Sequence, residues 1–219
     1  MNRRLILILT ALAALSAFAV GAWLFQRQSA GQASALAVAN ASALVRIHAP
    51  VMGPPNARVT VVEFFDPSCE ACRAFYPYVK KIIADFSPDV RLVIRYAPFH
   101  QGSDEAVAIL EMARAQGRFE PVLDALVARQ PEWAAHGAPN LALAWSIAGD
   151  AGLQYDRASV DAITPRVLGV LKQDMEDVNA LAISKTPSFF VNGKPLTTIS
   201  PDGLRALVQT EVQATRTPP

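Results

Sequence analysis

The hydrophobic positions along the chain follow either a strand pattern or a helical spacing, and each change of pattern marks the boundary of a predicted strand or helix. Residues 58–65 are apolar at nearly every position, which predicts a strand buried on both faces. Residues 73–86 instead space their apolar side chains three and four apart, which predicts a helix that Pro77 should kink. Residues 90–96 alternate like a second strand. The order strand, helix, strand calls for parallel pairing through a right-handed crossover.

Strand signals are missing from the whole middle of the chain. Helical patterns separated by glycines and prolines stand there instead, at residues 103–116, 119–129, 140–148 and 159–182. We therefore predict an all-helical insertion at residues 101–182. Trp133 and Trp145 lie in this stretch, and both are expected in its core.

Strand patterns return after the insertion. Residues 188–191 predict a strand, an Asn-Gly pair signals a hairpin, and residues 195–199 predict the returning edge strand. A final helix is predicted at residues 201–213, with a proline at its first position. Residues 44–47, ahead of the first long strand, predict a short edge strand. The chain shows no internal repeat.

Residues 1–28 predict an export signal whose type stays open. A short basic start precedes residues 5–25, which carry no charge. A small-x-small site at residues 17–19 suits a cleaved signal peptide. The uncharged run nevertheless reaches the length of about 20 residues that spans a bilayer, which favours an uncleaved anchor with its basic end in the cytoplasm. Both forms place the rest of the chain outside the cytoplasm, after a linker at residues 29–43.

The amino-acid composition excludes some classes of function. The chain has 219 residues, of which 52% are hydrophobic, so it can bury a sizeable core. Its net charge is +1 and its basic residues form no run, so nucleic acid is not expected as a partner. Its 2 cysteines can persist as a disulfide in a compartment outside the cytoplasm.

Cys69 and Cys72 form a Cys-x-x-Cys pair at the predicted junction of the first long strand and the first helix. Unpaired backbone N–H groups and the positive end of the helix dipole favour a thiolate there, which predicts a redox-active dithiol. A metal site is one alternative, but it needs about four ligands. The remaining soft candidates are His48, His100 and His136, and they stand at no ligand spacing. An inert, buried pair is the other alternative.

Two segments carry a family resemblance. Residues 51–66, which end in Val-Val-Glu-Phe-Phe-Asp, and residues 186–193, Thr-Pro-Ser-Phe-Phe-Val-Asn-Gly, resemble DsbA-like thiol–disulfide oxidoreductases of the thioredoxin superfamily. The resemblance covers about residues 44–213. It implies an α/β protein with a thioredoxin fold at residues 44–100 and 183–215. The helical insertion would lie between these two parts, and a signal peptide or membrane anchor helix would precede them.

The same resemblance implies roles for individual residues. Cys69 would be the nucleophile and Cys72 the buried, resolving cysteine. Thr186 and Pro187 would form a cis-proline loop whose backbone pairs with an extended substrate, unless the proline is trans and simply starts a strand. Glu63 would be a buried acid that moves protons to and from the inner cysteine, unless it reaches solvent or a salt bridge.

Between the cysteines, this chain departs from the family pattern. Glu70 and Ala71 stand where DsbA-like oxidants commonly carry a proline and a histidine, and that histidine helps to stabilise the thiolate. Glu70 is expected to raise the pKa of Cys69 by like-charge repulsion, and Asp66 to act in the same direction. We therefore predict that the Cys69–Cys72 redox couple is less oxidising than that of DsbA. His100, at the end of the second strand, could face the active-site side, but a place on a surface loop is the favoured expectation.

The predicted function is that of an exported thiol–disulfide oxidoreductase acting on protein thiols and disulfides. Its predicted place is the periplasm, with residues 5–25 as an anchor in the inner membrane if they stay uncleaved. It needs no cofactor, because the electrons reside on the two cysteines. Net oxidation would need a DsbB-like membrane partner, and reduction or isomerisation a DsbD-like donor. Two alternatives remain: a module that binds a soft metal such as copper through the same pair, and a structural protein with a vestigial dithiol.

Overall fold

The computed structural model describes residues 41–216. The predicted signal or anchor segment at residues 1–28 lies outside that range, as does the predicted linker at residues 29–43 apart from its last three residues. Ala43 begins the compact unit that contains the strands and helices of the fold. No helix within the described range is both long and apolar enough to cross a membrane.

The described elements include strands in the first and last parts of the range and a run of five consecutive helices between them. The strands are β1 (Val51–Met52), β2 (Val59–Phe65), β3 (Val90–Tyr96), β4 (Ser188–Val191) and β5 (Lys194–Pro195). The helices that follow β1 are α1 (Glu70–Asp85), α2 (Ser103–Ala115), α3 (Phe119–Ala128), α4 (Gln130–Trp133), α5 (Leu141–Asp150), α6 (Arg157–Ala180) and α7 (Pro201–Arg216).

The strands form one mixed sheet in the order β1-β3-β2-β4-β5. β2 and β3 are parallel, with Val59 beside Val90 and Phe65 beside Tyr96, and α1 is the predicted crossover between them. β4 is antiparallel to β2, and β1 and β5 are antiparallel edge strands. The carboxyl end of β2 therefore lies at the centre of the sheet, and it opens into the turn that precedes α1.

Both faces of β2 are buried, because its side chains alternate between two hydrophobic clusters. Val61 and Phe65 belong to a large core shared with α1, α7 and the middle helices. Val62 and Phe64 belong to a smaller cluster on the other face, which Val178 of α6 helps to form. The prediction of a strand covered on both faces is confirmed.

The edge strand predicted at residues 44–47 is wrong, and the edge strand of the sheet is Val51–Met52. Residues 41–44 are helical instead. The guanidinium of Arg95 donates hydrogen bonds to the carbonyl oxygens of Ala43 and Leu44. A side chain rather than a neighbouring strand therefore satisfies these backbone groups.

The other predicted elements are present with shifted ends. α1 is continuous through Pro77. α2, α3, α5 and α6 correspond to the four predicted helices of the middle stretch, and the short α4 was not predicted. The returning strand predicted at residues 195–199 is reduced to the two residues of β5.

A buried ionic cluster attaches α6 to the sheet. Nη2 of Arg95, whose side chain is fully buried on β3, lies 2.7 Å from Asp174 Oδ1 and 2.6 Å from Asp177 Oδ2. Arg46 donates two hydrogen bonds to the Asp177 carboxylate, and His48 Nε2 lies 2.6 Å from Asp174 Oδ1. These contacts join α6 and the segment before β1 to β3. Separating them would leave a buried charge unpaired, which is strongly destabilising, so the cluster holds the three parts together.

Candidate active site

The turn between β2 and α1 places Cys69 as the N-cap residue of the helix, with backbone angles of φ −76° and ψ 119°. Its N–H donates to the Asp66 carbonyl oxygen at 3.1 Å, and its own carbonyl oxygen accepts from the Arg73 N–H, also at 3.1 Å. Cys69 is 5% exposed and Cys72, inside the first turn, is 0% exposed. Cys69 is thus the sulfur nearer the helix end and nearer the surface.

The two thiols differ in acidity because their surroundings differ. The pKa of Cys69 is lowered to about 5, chiefly by a hydrogen bond with the Cys72 thiol. The Thr186 side chain and the backbone N–H groups of Cys72 and Ala71 lower it further, against the opposing effect of burial. Burial raises the pKa of Cys72 well above its usual value, and the hydrogen bond with Cys69 adds to that rise. Cys69 is therefore a thiolate at neutral pH, and Cys72 is a protonated thiol.

A titration of the reduced protein should report this difference directly. Followed by thiolate absorbance in the ultraviolet, one thiolate should form with a midpoint near 5. Cys72→Ala removes the largest cause of the low pKa and should raise the midpoint by at least about one unit, whereas Cys72→Ser keeps a hydroxyl donor and should raise it less. A wild-type midpoint at the ordinary thiol value of about 8.5 would contradict the assignment of Cys69 as the acidic cysteine.

The loop before β4 lies against the first cysteine. The Thr186–Pro187 peptide bond is cis, so the trans alternative for this proline is wrong. The Cys69 Sγ atom lies 3.4 Å from the carbonyl oxygen of Thr186, across a sequence separation of 117 residues. The Thr186 backbone therefore stands beside the sulfur, where an extended peptide can pair with it.

Glu63 on β2 is a buried carboxyl. It is 1% exposed, and neither carboxyl oxygen has a hydrogen-bond partner among the described residues. Burial raises its pKa to about 8, and the negative charge of Cys69 adds to the rise. The charge of Glu63 in turn raises the pKa of Cys72. The carboxyl is thus electrostatically coupled to both sulfurs, and the alternative of a solvent-exposed or salt-bridged Glu63 does not hold.

Asp66 is buried, and its carboxylate accepts hydrogen bonds from five donors. The donors are the backbone N–H groups of Ser68, Phe99 and His100, the ring nitrogen Nδ1 of His100, and Oγ of Ser103. These contacts join the turn before Cys69 to the loop that leads into α2. Because the donors compensate its charge, Asp66 is not the free negative charge that the sequence predicted.

Glu70 begins α1 with a side chain that is 70% exposed, and its Oε1 atom lies 3.8 Å from His136 Nδ1. Solvent screening and the neighbouring imidazole both weaken its repulsion of the thiolate. The net shift in the pKa of Cys69 is downward and neither carboxylate is among its main causes, so the rise predicted from Glu70 and Asp66 stays a prediction. The less oxidising potential predicted on the same grounds stays a prediction.

Sequence reasoning missed two neighbours of the dithiol. His100, expected on a surface loop, lies with Nδ1 2.6 Å from Asp66 Oδ2, and its place at the end of the second parallel strand was its one signal. Gln130 on α4 is 2% exposed, and its amide donates to the carbonyl oxygens of Pro67 at 2.7 Å and Cys69 at 3.0 Å. No motif or period marks Gln130.

The two tryptophans of the middle helices have different surroundings. Trp133 is 0% exposed, and its Nε1 donates to the Leu126 carbonyl oxygen at 2.9 Å, so its predicted core position is confirmed. Trp145 is only partly buried. It packs against the core and also lines a surface cleft of about 610 Å³ with Tyr155, whose ring centroid is 4.8 Å away.

Metal binding was an alternative that the sequence left open. Between residues 41 and 216, no group of three or more His, Cys, Asp or Glu side chains could hold a metal ion. The two imidazoles near the dithiol, His100 and His136, face the carboxylates of Asp66 and Glu70 instead.

Known proteins share this architecture. The thioredoxin family profile matches residues 46–210 of the chain. A thioredoxin-like oxidoreductase from Silicibacter pomeroyi DSS-3 superposes with a TM-score of 0.64 at 30% identity, covering 80% of this chain and 95% of that one. The thiol-disulfide exchange protein α-DsbA2 of Wolbachia pipientis gives a TM-score of 0.68 at 19% identity, covering 80% and 94%, and so shares the fold. The predicted fold class is confirmed.

The chain also resembles one part of several longer, curated proteins. The Na⁺/H⁺ antiporter NhaA of Herminiimonas arsenicoxydans is 32% identical over 146 residues, which are 67% of this chain and 22% of that protein. The chain thus spans about a fifth of the length of the curated relatives that it matches. The antiporter name describes those whole proteins.

Proposed function

The chain belongs to the thioredoxin family, and we propose that it is a DsbA-like thiol–disulfide oxidoreductase that exchanges disulfides with protein cysteines outside the cytoplasm. One observation carries the proposal. Cys69 combines a pKa of about 5 with a place at the helix end, 3.4 Å from the carbonyl oxygen of Thr186. An acidic sulfur beside a partly exposed backbone is suited to capture of a cysteine in an extended substrate.

In the oxidising direction, a substrate thiolate attacks the Cys69 sulfur of the Cys69–Cys72 disulfide. The bond between the two protein sulfurs breaks, a disulfide forms between substrate and Cys69, and Cys72 leaves as a thiolate. A second substrate thiolate then attacks the substrate sulfur, and Cys69 leaves as a thiolate. The substrate has lost two electrons, which the two cysteines have gained. Reduction runs the same steps backwards.

Glu63 is the proposed proton donor and acceptor for Cys72. The departing Cys72 thiolate takes up a proton, because its buried surroundings raise its pKa. A carboxyl with a pKa of about 8 is protonated at neutral pH and can supply that proton. In the reducing direction, the carboxylate takes the proton from Cys72 as its sulfur attacks the mixed disulfide.

The redox poise follows from the acidity of Cys69, since a stabilised thiolate stabilises the reduced protein. Its pKa of about 5 lies between the values of about 7 for thioredoxin and about 3.5 for DsbA. We therefore place the potential between those of the same two proteins, about −270 and about −120 mV. Such a couple can oxidise thiols if a DsbB-like partner reoxidises it, or reduce and isomerise disulfides if a DsbD-like donor supplies electrons.

We place the protein in the periplasm. The export pattern of residues 1–28 precedes a cysteine pair suited to an oxidising compartment. An uncleaved segment at residues 5–25 would tether it to the inner membrane. Its thioredoxin-like domain is proposed to comprise residues 44–100 and 183–215, with residues 101–182 as the helical insertion.

Refolding of reduced, unfolded ribonuclease tests the proposed activity. In a glutathione buffer, the wild-type protein should speed disulfide formation at least about tenfold over the buffer alone, and its equilibrium with glutathione should give a potential in the proposed range. The redox state of the Cys69–Cys72 pair in cells then shows in which direction the protein works. An oxidase would be found mainly oxidised, and a reductase or isomerase mainly reduced. Absence of acceleration with both reduced and scrambled ribonuclease would refute the proposal.

A further inference from the structure

A small cavity lies beside the turn that precedes the reactive cysteine. Its volume is about 240 Å³, and its lining includes Ser68, the residue that precedes Cys69. The other walls are Phe99, His100 and Gln101 from the loop after β3 and the segment Ala134–Gly137 after α4. The cavity thus stands where a residue next to a substrate cysteine would arrive, and its size suits a single side chain.

The polar groups of this cavity have unused hydrogen-bonding capacity. The Ser68 hydroxyl oxygen is buried and has no partner among the described residues, although the side chain lines the cavity. A buried hydroxyl without a partner is unfavourable, and a ligand that bonded to it would remove that penalty. His100 and His136 stand edge to face with ring centroids 5.7 Å apart.

A carboxylate of the protein orients one of the two imidazoles. His100 Nδ1 lies 2.6 Å from Asp66 Oδ2, so Nε2 is the ring nitrogen of His100 that can meet a ligand. His136 Nδ1 lies 3.8 Å from Glu70 Oε1, which is beyond hydrogen-bonding distance, so either of its ring nitrogens can do so. Burial opposes protonation of His100, but the hydrogen bond with Asp66 and the charges of Asp66, Cys69 and Glu70 raise its pKa. A protonated His100 that donates from Nδ1 to Asp66 keeps the Nε2–H group as a second donor.

The charges around the cavity favour a ligand that only accepts hydrogen bonds. Each neighbouring carboxylate, Asp66 and Glu70, already faces an imidazole. In the oxidised protein the Cys69 sulfur is in the disulfide, so its negative charge neither repels an anion nor supports protonation of His100, and Asp66 and Glu70 are the charges that still favour the protonated imidazole. A serine hydroxyl and imidazole N–H groups then remain, and these are donors suited to a carboxylate.

We propose that this cavity is a specificity subsite for a carboxylate that flanks the substrate's cysteine. The inference rests on the proposed function, since it names the substrate class of the same site. The carboxylate can belong to an acidic side chain beside a protein cysteine or to a small thiol such as glutathione. Both sources would present the same group to Ser68 and the two imidazoles.

Exchange rates with matched peptides test the subsite. Peptides with one cysteine and a neighbouring Glu, Gln or Lys, placed on either side in turn, are reacted with the oxidised protein. Each rate is divided by the rate of the same peptide with a small symmetric disulfide, which removes differences in intrinsic thiol reactivity. For one of the two placements, we expect the Glu peptide to react about fivefold faster than the Gln peptide, and the Lys peptide to react slowest.

Two variants and one control locate the preference. Ser68→Ala and His136→Gln should each bring the Glu-to-Gln ratio close to one while exchange with the Gln peptide persists. Having both variants keeps the test valid if one of them folds poorly, because His136 is exposed whereas Ser68 is buried. Ser146→Ala removes an exposed hydroxyl from α5, away from the cavity, and should leave the ratio unchanged.

A second arm distinguishes the two sources of the carboxylate. Glutathione is compared with its ethyl ester, each reacted as the free thiol with the oxidised protein. A preference for the free acid in this arm alone identifies a small thiol as the ligand, and a preference in the peptide arm identifies an acidic protein segment. Equal rates in both arms, with exchange still proceeding, would overturn the subsite and leave the proposed function standing. No exchange with any of these thiols or disulfides would overturn both.

Discussion

Replacing Cys69 with serine is expected to abolish catalysed disulfide exchange, with a loss of at least about a thousandfold in the ribonuclease assay. The thiol that is lost has a pKa of about 5 and is a thiolate at neutral pH. A serine hydroxyl stays protonated there and forms no disulfide. Neither substrate capture nor electron transfer therefore remains, although the neighbouring Thr186 backbone is unchanged.

The matched variant Cys72→Ser separates capture from resolution. It keeps the nucleophile but removes the sulfur that attacks the mixed disulfide, so a covalent adduct between Cys69 and a substrate thiol should accumulate. A non-reducing gel would show this adduct as a band that disappears with a reductant. Adduct formation by Cys69→Ser, or residual activity in that variant near the wild-type level, would mean that the roles of the two cysteines are assigned wrongly.

Replacing Glu63 with glutamine should slow exchange at pH 7 by about a hundredfold, at the lower end of what general acid–base catalysis contributes. Glutamine cannot give or take the proton of Cys72. In the wild type, the reducing direction needs the carboxylate, so its rate should rise with pH through about 8. The oxidising direction needs the carboxylic acid and should fall through the same value. The variant should lose both inflections in a pH–rate profile.

The same substitution is expected to stabilise the fold. Glu63 has a pKa of about 8 in the folded protein and about 4.3 in the unfolded chain, so the folded state holds a proton that the unfolded chain has released. Its contribution to stability is therefore full below about pH 4.3, and it is lost as pH rises towards about 8. At pH 7 the loss is about 4 kcal/mol, and Glu63→Gln should recover most of it. Denaturant unfolding at several pH values measures the difference.

An exposed glutamate supplies the control. Glu176→Gln on α6 removes the same charge at the surface and should change neither the pH–rate profile nor the stability by more than about 0.5 kcal/mol. A stability difference between wild type and Glu63→Gln that did not vary with pH would show that Glu63 is not a buried carboxyl with a raised pKa. An unchanged pH–rate profile would remove it from the chemistry.

The sequence predicted the central elements because their signals are local. The apolar run of β2, the alternation of β3 and the Asn-Gly hairpin after β4 each depend on neighbouring residues alone. The Cys-x-x-Cys pair at a strand–helix junction is likewise readable within a few positions. The motif resemblance then supplied Thr186 and Pro187, and no period could show the contact of the Thr186 carbonyl oxygen with Cys69.

The rest of the site depends on contacts between distant residues. Asp66 stands in the sequence as a negative charge beside Cys69, yet most of its donors come from residues more than 30 positions later. The low pKa of Cys69 likewise depends on Thr186, 117 positions away. Residues 44–47 read as a strand, but the carbonyl oxygen of Leu44 binds the side chain of Arg95, 51 positions away. Side-chain partners of this kind replace backbone partners without leaving a pattern in the sequence.

The amide of Gln130 gives α4 a direct hold on the carbonyl oxygen of the reactive cysteine. The backbone of the reactive cysteine is thus held in part by a segment that contains no cysteine, 61 positions along the chain. Substitutions in α4 therefore offer protein engineers a way to shift that backbone while the sulfur atoms and the residues between them stay untouched.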